Sequence, residues 1–232
     1  MIITKNAVYL HVPKTAGIWM REVLKPVAIE ERAHAIPDRE ILKKYKHIFG
    51  FVRNPWSWYV SLYSYITKGS NIHNPTFPVD PLFVAFGHTP TFEEFVTTLV
   101  EPPNIYKKKL YVLAQMSDLK ISSMENFNPS NKIKDMITPW MTKDIGYYEL
   151  VLENFLSNAT KIGQYENIKS DLLDMLIASN DITEDLKISI NQTPATNTAT
   201  EIVEYQTFYN LKLQTLVHNA SKELITKFNY TF

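Results

Sequence analysis

The stretch that decides the fold is Ala7–Lys25, which reads AVYLHVPKTAGIWMREVLK. It starts with an apolar run of strand character, Ala7–Val12, and ends with apolar residues at helical spacing. Between the two lies a tight turn, Pro13–Gly17, that carries one lysine and one glycine. The first N–H groups of a helix lack partners within the helix and lie at its partly positive end, so they readily bind phosphate oxygens. A strand, a lysine-bearing turn and a helix in this order therefore predict an anion site.

This turn differs from the common loop that binds nucleoside triphosphates. Its lysine, Lys14, comes before the glycine, Gly17, and no Gly-Lys-Ser/Thr sequence follows. The order of residues therefore argues against a kinase or an ATPase. Taken alone, the turn also fits an ordinary loop between a strand and a helix.

A second stretch, Phe49–Tyr63, repeats the design and reads FGFVRNPWSWYVSLY. Ile48–Val52 predicts a buried strand, Arg53 stands at its carboxyl end, and Pro55 suits the first position of a helix, where no N–H is needed. A guanidinium group donates hydrogen bonds in pairs and therefore suits a terminal phosphate. The chain thus carries two predicted anion turns.

Together the two turns resemble a known family. Pro13–Gly17 (PKTAG), Arg53–Pro55 (RNP) and Ser61, eight residues after the arginine, resemble the sulfotransferases that use 3′-phosphoadenosine 5′-phosphosulfate (PAPS), and the carbohydrate-type branch in particular. The resemblance implies that the first turn binds the 5′-phosphosulfate and that Arg53 and Ser61 bind the 3′-phosphate. In the first turn it nominates Lys14, Thr15, Ala16 and Gly17, with the backbone N–H groups of Ile18 and Trp19 completing the cradle.

Later segments resemble the family more loosely. Ile162–Ile168 looks like the strand that ends in an aromatic-Glu-Asn/Asp segment, and Asn191–Thr193 looks like a loop that closes over the nucleotide, which nominates Thr193. The chain departs from the family at Ile18 and Trp19, where a hydroxyl residue usually follows the loop glycine, and at Trp58, where many members have an arginine. The first departure leaves open a nucleotide-binding module without catalysis.

The resemblance also suggests a general base. In relatives, a histidine or glutamate between the two turns takes the proton of the acceptor hydroxyl, and His34 lies in that segment. An unperturbed imidazole titrates near neutral pH and suits this task. A surface or capping histidine is the alternative interpretation of His34. Residues 68–103, rich in Gly, Asn and Pro, are expected to form an insertion or lid on the acceptor side, or else a surface loop.

Composition limits the remaining possibilities. A length of 232 residues suits one domain, 1–232. The 24 basic residues equal the 24 acidic ones, so no overall field attracts nucleic acid or an anionic membrane. The absence of cysteine excludes disulfides and thiolate chemistry, and no acids or histidines stand at metal-ligand spacing. Since no signal or membrane-spanning run is seen, a cytoplasmic protein is expected.

Alternating strand and helix patterns predict a three-layer α/β/α fold with a mainly parallel central sheet. The resemblance implies that this fold is like that of P-loop NTPases and sulfotransferases. Ligands of such sheets bind at the carboxyl ends of the strands, where Lys14 and Arg53 both fall. The sequence thus predicts a metal-free sulfotransferase that uses PAPS as co-substrate. Its acceptor would be a hydroxyl, or less readily an amine, of a carbohydrate or small molecule. The alternatives are an inactive nucleotide-binding module and a P-loop kinase, and the order of Lys14 and Gly17 argues against the kinase.

Overall fold

The computed structural model describes residues 1–32, 35–65, 67, 88–101, 146–194 and 204–232. The chain divides into two compact units. The first consists of Met1–Asn54 and Val151–Glu204, and the second of Pro55–Leu150 and Tyr205–Phe232. Of the insertion expected over 68–103, only 88–101 belongs to the described residues.

The first unit is built on a five-strand mixed sheet. Its strands are β1 (Ile2–Ile3), β2 (Ala7–Leu10), β3 (Glu30–Glu31), β4 (His47–Val52) and β5 (Lys161–Gln164). Their order across the sheet is β3-β1-β2-β4-β5. Strands β2, β4 and β5 are parallel, whereas β1 runs antiparallel to both β2 and β3.

The mixed sheet corrects the expectation of a mainly parallel one. A short turn joins β1 to β2, with the N–H of Thr4 bonded to the carbonyl of Ala7 at 3.0 Å. Strands joined by so short a turn pair antiparallel, whereas the long connections before β4 and β5 allow parallel pairing. Strands β1 and β3 cannot be recognised from the sequence, because two-residue strands leave no measurable periodicity. The α/β class itself is confirmed.

Helices flank this sheet. In the first unit they are α1 (Gly17–Leu24), α2 (Arg39–Lys44), α6 (Ile168–Ala178) and α7 (Glu184–Gln192), and α5 (Tyr147–Leu156) crosses the boundary between the units. The second unit by itself contains α3 (Pro55–Ser64), α4 (Phe92–Val100), α8 (Leu211–Ala220) and α9 (Lys222–Phe228). None of the described helices is long and apolar enough to span a membrane.

Both faces of β2 and β4 are buried, as their continuous apolar sequences predict. One face packs against α1, α6 and α7 through the side chains of Ala7, Tyr9, Phe49 and Phe51. On the other face, Gly50 lies so close to the side chain of Leu156 that a β-carbon at position 50 would overlap it. The central strands are therefore held on both sides, which fixes the positions of their carboxyl ends.

The second unit is helical and rich in aromatic contacts. Trp58 is fully buried and stacks on Tyr148, with ring centroids 4.2 Å apart and an interplanar angle of 16°. This packing accounts for one departure from the sulfotransferase pattern, since an arginine at position 58 would place a charge among aromatic rings. Elsewhere in the unit, the indole N–H of Trp56 donates to the carbonyl of Gln214 at 3.1 Å, and the hydroxyl of Tyr209 donates to the carbonyl of Trp56 at 2.9 Å.

Candidate anion site

The candidate site lies in the first unit, at the carboxyl ends of three neighbouring parallel strands. β2 leads into the turn that carries Lys14, β4 leads to Arg53, and β5 leads to a short 3-10 turn, Tyr165–Asn167. The strands pair in register, with Leu10 opposite Gly50 and Val52 opposite Gln164, so all three ends meet at one edge of the sheet. The fold thus places the two predicted anion turns side by side.

The Lys14 turn has an unusual backbone. Lys14 and Ala16 both have positive φ, 65° and 63°, whereas Thr15 between them does not. An L-residue with a β-carbon loses roughly 1–2 kcal/mol in the left-handed region, so two such residues in one turn store strain. A positive φ at every second residue resembles the backbone of an anion-binding nest, in which successive N–H groups face a common point. The other two described non-glycine residues with positive φ are asparagines, which tolerate it better.

Contacts on its inner side hold the turn in place. The hydroxyl of Thr15 donates to the carbonyl of Val12 at 2.8 Å, and the side chain of Thr15 is completely buried. The imidazole of His11 lies directly over Gly17, in the space that a β-carbon would fill, and stacks on Tyr9 with ring centroids 6.2 Å apart. Glycine at position 17 is thus required by the close approach of His11.

Arg53 joins the two turns. Its Nη1 donates to the carbonyl oxygen of Lys14 at 3.2 Å, across 39 residues of sequence. Its guanidinium carbon lies 4.4 Å from the ring centroid of Tyr165, at cation–π distance. Next to it, the backbone N–H of Asn54 donates to a carboxylate oxygen of Glu166 at 2.8 Å.

The electrostatics of the site follow from these contacts. Burial, together with the nearby positive charge of Arg53, lowers the pKa of Lys14 from 10.5 to about 8. Both causes penalise the charged form of the lysine. An anion bound between the two cations would oppose both effects, so the arrangement favours a negatively charged ligand.

The other residues predicted for the site differ in exposure and in the element that carries them. Ile18 is 45 % exposed at the start of α1, whereas Trp19 is 3 % exposed and packs in the core. The indole N–H of Trp19 donates to the carbonyl of Thr193 at 3.2 Å, so α1 contacts the end of α7. Ser61 lies on α3 of the second unit with a half-buried side chain. His34, the predicted base, lies outside the described residues.

Sequence reasoning gave no role to two residues that the structure brings to the site. Tyr165 and Glu166 belong to the segment Ile162–Ile168, and they contact Arg53 and Asn54. The useful signal was their place directly after a strand, since parallel strands end at a shared edge. Within the described part of the chain, no group of three His, Asp or Glu side chains is arranged to hold a metal ion.

Comparison with known proteins adds no relative. A scan against protein-family models, a search of curated proteins and a search of solved structures each find no match to this chain. A proposal about function therefore depends on the geometry of the site.

Proposed function

We propose that this protein is a sulfotransferase that moves a sulfuryl group from PAPS to a hydroxyl, or less readily an amine, of a carbohydrate or small molecule. The observation that carries the proposal is the hydrogen bond from Arg53 to the carbonyl of Lys14. It unites two cationic turns at the carboxyl ends of adjacent parallel strands, and PAPS is a ligand with two anionic ends. The finer fold assignment, a three-layer sheet like that of P-loop NTPases and sulfotransferases, belongs to the same proposal.

In this reaction an acceptor oxygen attacks sulfur in line with the bond to the leaving phosphate. The new S–O bond forms as the bridging S–O bond breaks, and adenosine 3′,5′-bisphosphate leaves with the electron pair of that bond. Lys14 stabilises the charge that develops on the bridging oxygen, and the backbone N–H groups of residues 15–19 complete the cradle. With a pKa of about 8, Lys14 is largely protonated at neutral pH and acidic enough to give its proton to the leaving oxygen. His34 is the proposed acceptor of the hydroxyl proton.

A second candidate is a module that binds the nucleotide without transferring sulfate. The inward hydrogen bond of Thr15 favours it, because the hydroxyl of this residue donates to Val12. The exposed side chain of Ile18 likewise offers no hydroxyl where sulfotransferases commonly have one. In this case Lys14, Arg53 and the backbone N–H groups would bind the bisphosphate, and no acceptor would be sulfated.

The first experiment compares donors. Thermal unfolding of the protein is measured with adenosine 3′,5′-bisphosphate and, separately, with ATP and Mg²⁺. The proposal expects a rise in melting temperature with the bisphosphate that ATP and Mg²⁺ do not match. A larger shift with ATP and Mg²⁺ would favour a P-loop kinase instead.

The second experiment measures transfer of labelled sulfate from PAPS to a set of carbohydrate and small-molecule acceptors. Lys14→Ala should abolish transfer with the fold intact, whereas Lys25→Ala, which removes an exposed lysine just after α1, should not affect it. Turnover retained by Lys14→Ala would refute the role of Lys14. Binding of the bisphosphate by the wild-type protein without transfer to any acceptor would favour the second candidate.

A further inference from the structure

Two contacts of the Arg53 guanidinium define its place in the site. One is with the carbonyl oxygen of Lys14 at 3.2 Å, and the other is with the ring of Tyr165 at 4.4 Å. A hydrogen bond to a carbonyl is directional, and a planar guanidinium also stacks favourably on an aromatic face. The two contacts together therefore restrain both the position and the orientation of the arginine.

The backbone holds Tyr165 in this place independently of Arg53. Tyr165 follows β5 directly, and β5 is paired with β4 up to Val52 and Gln164, so the register brings Tyr165 beside Arg53. Its carbonyl accepts the N–H of Ile168 in the 3-10 turn. The next residue, Glu166, bonds the N–H of Asn54 at 2.8 Å. The backbone at Tyr165 is thus held by the pairing of β5 before it and by the Glu166–Asn54 hydrogen bond after it.

We propose that Tyr165 is a positioning residue of the anion site, which acts through Arg53. Its ring holds the guanidinium in the orientation that bonds the Lys14 carbonyl, and that bond keeps the strained Lys14–Ala16 turn in its anion-binding form. A long arginine side chain without such a platform populates several rotamers and loses the bond for part of the time. The role needs an aromatic face and does not need the phenolic hydroxyl.

The first test measures the amine of Lys14 itself and uses no nucleotide. The rate at which Lys14 reacts with an acylating reagent is followed against pH by peptide mass spectrometry. The wild-type midpoint is expected at about 8, partly because Arg53 lies near. In Tyr165→Leu the arginine moves away and the midpoint shifts upward, while Tyr165→Phe keeps the wild-type midpoint. Tyr165→Met serves as a second non-aromatic variant in case the leucine variant folds poorly.

The second test rests on the proposed function and measures the affinity for adenosine 3′,5′-bisphosphate. Tyr165→Leu should bind about tenfold more weakly, which corresponds to the upper part of the cation–π range, and Tyr165→Phe should restore wild-type affinity. Tyr45→Leu is the matched control, because Tyr45 also has a cation over its ring, Lys44 at 5.1 Å, but precedes the opposite end of β4. The control should keep full affinity.

The two tests separate the possible failures. If the wild-type protein does not bind the bisphosphate, the proposed function fails, and the labelling of Lys14 still decides the role of Tyr165. An unchanged Lys14 midpoint in both non-aromatic variants would overturn that role. So would a loss of affinity in Tyr165→Phe equal to that in Tyr165→Leu, since it would point to the hydroxyl.

Discussion

At the scale of single residues, Lys14 destabilises the folded protein when no anion is bound. Its ammonium is largely buried beside the guanidinium of Arg53, and its pKa is lowered from 10.5 to about 8. A lysine whose folded pKa lies below its unfolded value weakens the folded state while it is charged. This penalty is fully present below pH 8 and disappears as the pH rises from about 8 to 10.5. A residue that suits a bound anion thus destabilises the protein without one.

We therefore expect Lys14→Met to stabilise the ligand-free protein. Near neutral pH the gain should be about 2 kcal/mol, somewhat less than the pKa shift would give without relaxation, and it should shrink at alkaline pH. Urea unfolding at both pH values measures it, with Lys25→Met, at an exposed lysine, as the control that changes little. The same variant should lose the thermal shift with adenosine 3′,5′-bisphosphate. A less stable Lys14→Met at neutral pH would contradict the electrostatic interpretation.

At the scale of the strand–turn–helix element, the imidazole of His11 occupies the space beside the α-carbon of Gly17. A β-carbon at position 17 would overlap the imidazole, so Gly17→Ala must displace either the ring or the start of α1. Overpacking of this kind costs about 1–3 kcal/mol. We expect Gly17→Ala to lower stability in urea unfolding, and His11→Ala to relieve much of the loss in the double variant. Additive effects of the two substitutions would show that the contact does not matter.

Elements with strong local signals were predictable from the sequence. Thr91 and Glu94 form a capping box at the start of α4, and the side chain of Asp38 caps α2 by accepting the N–H groups of Glu40 and Ile41. Such caps are encoded within a few residues, which is why they can be recognised in a single sequence. The apolar spacing from Tyr209 to Leu224 favours one continuous final helix, but the structure ends α8 at Ala220 and starts α9 at Lys222.

Helix α7 has a weak signal in the sequence, because Leu186 and Ile190 are its only buried residues and a polar stretch follows it. Its start was nevertheless encoded, since the hydroxyl of Thr183 accepts the N–H of Leu186 at 3.2 Å.

Within the site, the proximity of Lys14 and Arg53 was predictable because both follow parallel strands. The inward turn of Thr15 and the stacking of Tyr165 were not, because side-chain directions within turns depend on tertiary contacts.

At the scale of the first unit, a group of stabilising hydrogen bonds lies at one end of the sheet and the candidate anion site lies at the other. Asp181, which is largely buried, accepts hydrogen bonds from the hydroxyl of Thr4 at 2.6 Å and from the backbone and side-chain N–H groups of Asn6 at 3.2 Å. These bonds tie the turn between β1 and β2 to the connection between α6 and α7. Because Asn6 precedes β2, the tie lies at the amino end of the strand whose carboxyl end carries Lys14.

Asp181→Ala should therefore lower the free energy of unfolding by about 2–3 kcal/mol, since it removes a charged acceptor and leaves buried donors without a partner. The affinity of the folded variant for adenosine 3′,5′-bisphosphate should stay at the wild-type value. Urea unfolding and calorimetric titration measure the two quantities. If affinity fell together with stability, the two ends of the sheet would be coupled.

The hydrogen bond from Arg53 to Lys14 also bears on how the binding ability arises during folding. It spans 39 residues and exists only once β2 and β4 have paired, so the isolated segment of the first turn keeps the local hydrogen bond of Thr15 but lacks the contact that Arg53 makes with the carbonyl of Lys14. Ligand affinity should accordingly emerge late in refolding, in step with closure of the sheet. A synthetic peptide covering Ala7–Lys25 would then be a poor mimic of the intact site.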